Sequence, residues 1–342
     1  MSDVILANRM LEPDILYHYT SQAGLMGIVA SDSIWATDIY ALNDWTEFRH
    51  VFTTASMQVL VDAFKSGLPD DIDAIAKEMF IERVLAERNF PGLLDIIKAD
   101  RPPYGEPKGV FVCSFTALGD LLSQWRGYSY SFQGFSLGFD STLLKRRLQL
   151  VHTLDTPVEL VECVYDEATT VECIRAMGRT AAEGFRDLRQ HDEVVPPGFS
   201  TLLNPSEDYR RDTYYLSKSF TFASVPFFRA AAQFKHPGFR EEREWRVVYS
   251  AFLKKLSPHT VKFRHGQFGP TAYVEIPLGL HTPATCSLRR IVVGPRTYGG
   301  QEVRDTTNSV EMLLLKYGIA VKSPATPSGV EIVASQIPYR SA

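Results

Sequence analysis

The sequence has few cysteines, no long uncharged apolar segment and no recognisable leader segment. Its four cysteines are widely spaced and none belongs to a C-x-x-C pair, so a zinc ribbon is not expected. No uncharged run approaches the roughly 20 residues that span a bilayer. Residues 1–13 lack a basic segment followed by a long apolar run. These absences predict a cytoplasmic protein without a membrane partner, in which the thiols stay reduced.

The chain also has little excess of charge of either sign. Its 36 Lys and Arg residues against 40 Asp and Glu residues give a net charge of −4. This balance excludes a protein that coats nucleic acid by charge alone, but it is compatible with a local basic cleft. Hydrophobic residues make up 45% of the chain, which predicts a packed core rather than disorder. We expect one large domain over residues 1–342.

Hydrophobic periodicity predicts strands and helices in alternation. The core strands are expected within residues 14–40, 109–166 and 240–323, and helical insertions at about 47–100 and 167–234. The sequence has no G-x-G-x-x-G, Walker A, H-E-x-x-H or G-x-S-x-G motif, so several common enzyme classes have no sequence support.

The stretch Leu-Tyr-His-Tyr-Thr-Ser at residues 16–21 is the first candidate for a ligand site. His18 can donate or accept a hydrogen bond near neutral pH, and Tyr19 offers an apolar face with a polar tip. Thr20 can reach a ligand or help to cap the helix predicted next. A half-buried strand histidine with a purely structural role is the competing interpretation of the same residues.

A second informative stretch is the charged run at residues 240–249. As a strand it would carry Glu242, Glu244 and Arg246 on one face, because side chains alternate with a period of two. The arginine would keep one carboxylate ionised while the other meets a ligand. The same pattern is also typical of an exposed edge strand whose charges deter aggregation.

Seven short motifs occur in an order that resembles one bacterial family. They are Leu-Tyr-His-Tyr-Thr-Ser (16–21), Leu-Asn-Asp-x-x-Glu (42–47), Phe-Val-Cys-Ser-Phe-Thr (111–116), Trp-Arg-x-Tyr (125–128), Gly-x-Ser-Leu-Gly-Phe (134–139), Glu-x-Glu-x-Arg (242–246) and Ile-Val-Val-Gly-Pro-Arg (291–296). The set resembles DUF2971, a family of unknown function, over roughly residues 15–300. Trp45 departs from the proline expected there, and the helical segment before residue 109 is unusually long.

The layout of these motifs in turn resembles the toxin-like ADP-ribosyltransferases. That resemblance implies an α+β fold with a split, mixed β-sheet core and an inserted helical layer. It also implies NAD as the substrate, with no metal ion. The acceptor of ADP-ribose would be RNA, DNA or protein, and a neutralising antitoxin or regulatory partner would accompany a toxin or an anti-phage effector.

The same resemblance assigns roles to individual residues. His18 would hold the NAD ribose, Ser114 would line the nicotinamide pocket, and Glu244 would be catalytic. Cleavage of the nicotinamide–ribose bond passes through an oxocarbenium-like centre, which a carboxylate stabilises. The remaining assignments are Glu242 for the acceptor nucleophile, Tyr19 and Trp35 for stacking on nicotinamide, Thr20 as a further cofactor contact, and Arg126 or Arg246 for the pyrophosphate.

Three other functions fit the residues as well. A nucleotide or NAD sensor would use the same pocket without turnover. A metal-dependent nucleic-acid hydrolase would use Glu242, Glu244 and Asp44 with a divalent ion. An interaction module would use the tyrosines and tryptophans only as core.

Overall fold

Ten strands form one sheet in a computed structural model of the protein. The structure describes residues 12–42, 54–86, 108–128, 134–153, 156–196, 206–252, 259–266, 269–295 and 300–338. The strands are β1 (Ile15–Thr20), β2 (Ser33–Asp38), β3 (Lys108–Thr116), β4 (Phe135–Asp140), β5 (Val158–Glu162), β6 (Glu244–Phe252), β7 (Val261–His265), β8 (Pro270–Pro277), β9 (Leu288–Val293) and β10 (Glu331–Ala334).

Helices cover both faces of this sheet. They are α1 (Gln22–Ser31), α2 (Thr54–Gly67), α3 (Ala74–Ala86), α4 (Leu122–Tyr128), α5 (Ser141–Val151), α6 (Glu167–Gln190), α7 (Glu207–Ala231) and α8 (Gly300–Lys316). Short 3-10 helices occupy Ile39–Ala41 and Pro237–Glu242. Side-chain caps fix several helix starts: Asp140 accepts from the Leu143 amide before α5, and Asp166 accepts from the Thr169 amide before α6.

The sheet divides at its central strand, β3. The main path runs β10-β9-β4-β1-β3-β2-β8-β7, and β6 pairs with both β3 and β5. β6 follows the whole length of β3, whereas β1 reaches it only at Thr116 and β2 only at Phe111 and Val112. Residues 113–115 of β3 therefore pair with β6 alone, and β1 and β2 diverge beside them. We refer to this divergence of β1 and β2 at residues 113–115 as the fork.

Two hydrophobic clusters cover opposite faces of β3 and β6. The first contains Val112 and Val248 together with the buried faces of α2, α3, α6 and α7. The second contains Cys113, Phe115 and Val247 with residues of α1, α5 and α8. Alternation along the strands gives each cluster every second residue, as expected for a sheet buried on both sides.

The coarse fold prediction, α+β with a mixed sheet, is confirmed. One local prediction is wrong: residues 240–242 are not part of a strand. Arg243 adopts a left-handed backbone (φ 42°), which ends the 3-10 helix and starts β6 at Glu244. The shared strand face therefore holds Glu244 and Arg246 but not Glu242. The sequence also gave no prediction for β7.

Candidate functional site

His18 lies at the fork, on the side of the second hydrophobic cluster. Its Nδ1 atom is 2.9 Å from the Ser114 carbonyl oxygen, and its ring centroid is 5.7 Å from that of Phe115. The Cys113 sulfur is 3.7 Å from the same nitrogen. The side chain thus satisfies a β3 carbonyl in the stretch where β1 pairs with β4 but no longer with β3.

This contact determines which nitrogen of His18 can meet a ligand. A carbonyl oxygen only accepts, so Nδ1 carries the proton, and in the neutral ring Nε2 is an acceptor. Burial lowers the pKa of His18, partly offset by the bond to the Ser114 carbonyl, so the ring stays neutral near pH 7. Among the described residues no side chain or backbone group bonds to Nε2. The neutral ring can accept a hydrogen bond from a hydroxyl there.

Tyr19 has a structural environment. Its side chain is buried, its ring packs edge-on against Trp125 at 4.6 Å, and its hydroxyl donates to the Leu118 carbonyl and accepts from the Leu121 amide. Thr20, the next residue, is half-buried, and its hydroxyl lies against Gly24 of α1. A Cβ atom added to Gly24 would lie only 1.9 Å from the Thr20 hydroxyl oxygen. The predicted ligand roles of both residues stay predictions.

Glu244 is the centre of a buried ion network. Its carboxylate accepts two bonds from the Arg246 guanidinium, at 2.8 and 3.1 Å, and one from Lys235 Nζ at 2.6 Å. Lys235 also donates to Glu242 at 2.6 Å, and Arg246 donates to the Ala232 carbonyl at 2.9 Å. The Glu244 amide donates to the Tyr165 hydroxyl. Four charged side chains thus bind the start of β6 to the end of α7.

The network keeps Glu244 ionised although it is only 3% exposed. Burial alone would raise the pKa of this carboxyl, but Arg246 and Lys235 together lower it to about 2. The Glu242 side chain is more accessible, at 16% against 4% for Glu244. Access of a ligand to Glu244 or Arg246 therefore requires the network to open, whereas Glu242 is partly accessible already.

The other predicted contacts lie apart from His18. Ser114 meets His18 through its carbonyl, while its side chain shares the opposite face with its cross-strand partner Arg246. Trp35 alternates with Ile34 and Ala36, which belong to the second cluster, so its ring points away from the core that His18 contacts.

Arg126 lies at an open cleft at the end of α4. It is exposed, and Glu241 is the one acidic residue among the described residues of the lining. The lining residues are Leu121, Leu122, Ser123, Arg126, Gly127 and Glu241. The cleft places an arginine beside the 3-10 helix that carries Glu242, which is compatible with a phosphate contact there.

The predicted site thus forms two groups rather than one. His18 and the Ser114 carbonyl meet at the fork. Glu244 and Arg246 lie on the opposite face of β3 and β6, and Lys235 joins Glu244 to Glu242 of the preceding 3-10 helix. Lys235 and Tyr165 were not predicted. Lys235 directly follows the mostly apolar run Ala-Ala-Ala-Gln-Phe. A single lysine at the end of such a run is the sequence feature from which its role could have been predicted.

Several negative observations apply only to the part of the chain that the structure describes. There, no group of three or more His, Cys, Asp or Glu side chains could hold a metal ion. None of the helices described is both long and apolar enough to cross a membrane. Asp44, which a metal-dependent hydrolase would use, lies outside the described residues.

Comparison with known proteins gives one match. Neither a curated protein nor a solved structure is similar enough to the chain to be matched. A family model described as "Protein of unknown function (DUF2971)" matches residues 124–247, from α4 into β6. This is shorter than the predicted span of about 15–300, and it includes the ion network but not His18. Over residues 124–247, the chain is similar to the DUF2971 family.

Proposed function

We propose that the protein is an NAD-dependent ADP-ribosyltransferase that binds NAD at the fork. The observation that carries the proposal is the hydrogen bond from His18 Nδ1 to the Ser114 carbonyl, which leaves Nε2 as an acceptor. A ribose hydroxyl is a donor of the kind that this nitrogen can bind. The divergence of β1 and β2 leaves this edge of β3 without a strand partner at residues 113–115, next to His18.

The carboxylates of β6 and its preceding turn would stabilise the reaction centre. Nicotinamide departure leaves positive charge on the ribose, and an ionised carboxylate nearby lowers the energy of that state. Glu244 is ionised, and Glu242 is the more accessible of the two. His18 and the carboxylates occupy opposite faces, so NAD would pass around the end of β3, where Thr116 pairs with both Tyr17 and Glu244.

A non-catalytic NAD or nucleotide sensor is the second candidate. The observation in its favour is that Lys235 and Arg246 already hold the Glu244 carboxylate, so the described arrangement presents no free catalytic carboxylate at position 244. A sensor needs only the acceptor nitrogen of His18 and a binding site that fits the nucleotide. The toxin or defence role, the acceptor and a neutralising partner follow only from the transferase reading.

The test is nicotinamide release from NAD by the wild type and by Glu242→Gln, Glu244→Gln and His18→Gln. It is run alone and with cellular RNA, DNA or protein, with and without EDTA, at a temperature at which the melting curve of each variant shows it to be folded. Release that EDTA leaves unchanged and that one glutamine variant abolishes supports the transferase. NAD binding without release under any condition supports the sensor, and release that EDTA abolishes contradicts both.

A further inference from the structure

The outer face of β2, β8 and β7 carries an exposed aromatic and cationic surface. Trp35 is 41% exposed, and its ring centroid lies 4.4 Å from that of Tyr273 at an interplanar angle of 32°. The Arg264 guanidinium carbon is 5.8 Å from the Trp35 centroid, and Arg264 donates to the Thr37 hydroxyl at 3.1 Å. A cation and an exposed indole are thus held together at the surface, beside the buried ring of Tyr273.

Register places these residues on one side of the sheet. Lys262 is opposite Tyr273, and Arg264 is opposite Thr271, so both cations share the face of Tyr273. Phe263 lies between the two cations in the sequence and therefore points to the other face, where it is 67% exposed. β7 is the last strand of the path, so this surface reaches an edge of the sheet.

The sequence around this edge is the most basic part of an acidic protein. Residues 245–274 contain no Asp or Glu but contain five Lys or Arg residues, namely Arg246, Lys254, Lys255, Lys262 and Arg264. Arg246 is buried, whereas Lys262 and Arg264 are exposed on the described surface. A local excess of positive charge against a net charge of −4 indicates an anionic partner.

We infer that the face formed by Trp35, Tyr273, Arg264 and Lys262 binds single-stranded nucleic acid. The role of this face as an acceptor site rests on the proposed function. The inference adds the class of acceptor, which is single-stranded nucleic acid. It assigns Trp35 to a base of the acceptor rather than to nicotinamide, because the ring points away from the core that His18 contacts.

The chemistry of the surface fits unpaired bases and their phosphates. Trp35 is an exposed indole held beside a tyrosine and an arginine, and the stacking of a base on such a ring tolerates any base sequence. Arg264 has no carboxylate within ion-pair distance among the described residues and can meet a phosphate. Lys262 pairs with Glu275 at 2.7 Å, so part of its charge is already neutralised, and we expect its contribution to be the smaller one.

The test is fluorescence anisotropy with labelled 12-nucleotide single-stranded DNA and RNA of mixed sequence, without NAD, at several salt concentrations. We expect Trp35→Ala to weaken binding about five-fold or more. Trp35→Phe should retain most of the affinity. Arg264→Gln should weaken binding and make the slope of log affinity against log salt shallower by about 0.7. Whichever of DNA and RNA binds more tightly identifies the form of the acceptor.

Two matched controls give the test its specificity. Phe263→Ala removes an exposed aromatic ring from the same strand but the opposite face, and Lys65→Gln removes one exposed charge from α2. Both should bind like the wild type. No binding by the wild type, or equal weakening by Phe263→Ala and Trp35→Ala, would overturn the inference. NAD is absent from the anisotropy measurement, so a lack of nucleic-acid binding would not contradict the transferase proposal. Likewise, a lack of nicotinamide release would not contradict nucleic-acid binding by this face.

Discussion

Glu244 shows that a buried carboxylate can stabilise the folded protein whether or not it is catalytic. Its two cationic partners, Lys235 and Arg246, are themselves only 5% and 1% exposed. Removing one member of such a group leaves the others buried without compensation, which typically costs about 3–5 kcal/mol. An inactive Glu244 variant is therefore informative only when its stability has been measured.

We predict that Glu244→Gln lowers the free energy of unfolding by about 3 kcal/mol at pH 7. The difference between the ordinary pKa of 4.5 and the folded value of about 2 corresponds to a similar figure. Since the folded pKa is depressed, this stabilisation is complete above about pH 4.5 and is lost as the pH falls towards 2. Urea unfolding at pH 7 and at pH 3 should show the gap between wild type and variant narrowing in acid.

A matched control for this prediction is Glu172→Gln. Glu172 pairs with Arg175 and Arg179 on the surface of α6, where ion pairs contribute less than about 1 kcal/mol. Equal losses of stability for the two variants at pH 7 would show that the buried network is no stronger than a surface pair.

His18 supplies a second prediction that concerns one side chain. Its pKa is lowered by burial, so between pH 6.5 and its folded pKa the unfolded chain binds a proton that the folded chain does not. Stability is therefore unaffected by this group above about pH 6.5 and falls as the pH drops below it. We expect the melting temperature of the wild type to fall more between pH 7.5 and pH 5.5 than that of His18→Gln.

The exposed His191 provides the comparison for His18. Its side chain is 68% exposed, so His191→Gln should retain the pH response of the wild type. The same pH response in His18→Gln and in the wild type would mean that His18 titrates freely and does not lie in the environment described.

At the scale of whole elements, Gly178 is one of the glycines that permit the close contact of α2 with α6. A Cβ at Gly178 would lie 2.5 Å from the Leu60 carbonyl oxygen and 3.0 Å from the Phe64 amide nitrogen, and backbone atoms cannot easily move away. Gly184 lies on the same helix, yet a Cβ there would make only an ordinary contact, 3.4 Å from Ser219 Cβ.

This difference predicts opposite effects of the same substitution on one helix. Gly178→Ala should lower stability by about 2 kcal/mol through overpacking, and Gly184→Ala should raise it by up to about 1 kcal/mol through helix propensity. Thermal or urea unfolding of the two variants measures both. A neutral Gly178→Ala would indicate that α2 and α6 are further apart than described.

A helix or strand can be predicted from the sequence when the residues that determine it are close together in the chain. Helix α5 has local causes, because Asp140 caps its start and its buried leucines, Leu144 and Leu148, are four residues apart. β7 was missed because four of its five residues are exposed and its charges alternate without a buried face. The break before β6 depends on the left-handed backbone of Arg243, which hydrophobic periodicity cannot reveal.

At the scale of the whole molecule, the sequence indicated candidate residues but not their arrangement. His18, Ser114, Glu242, Glu244 and Arg246 were all selected from local motifs. Their division between two faces of β3 and β6 depends on pairings between segments that lie more than 90 residues apart. Lys235, which joins Glu242 to Glu244, was missed because its role arises only when the segment after α7 meets the start of β6.

The most direct test of the account is NAD binding by isothermal titration calorimetry, with the wild type and His18→Gln compared at pH 7.5. Binding precedes turnover, so this measurement does not depend on which carboxylate is catalytic. We predict that the wild type binds NAD and that His18→Gln, with an unchanged melting curve, binds at least ten-fold more weakly, about 1.4 kcal/mol. Equal affinity of the two proteins, or no binding by the wild type, would contradict the assignment of the fork as the NAD site.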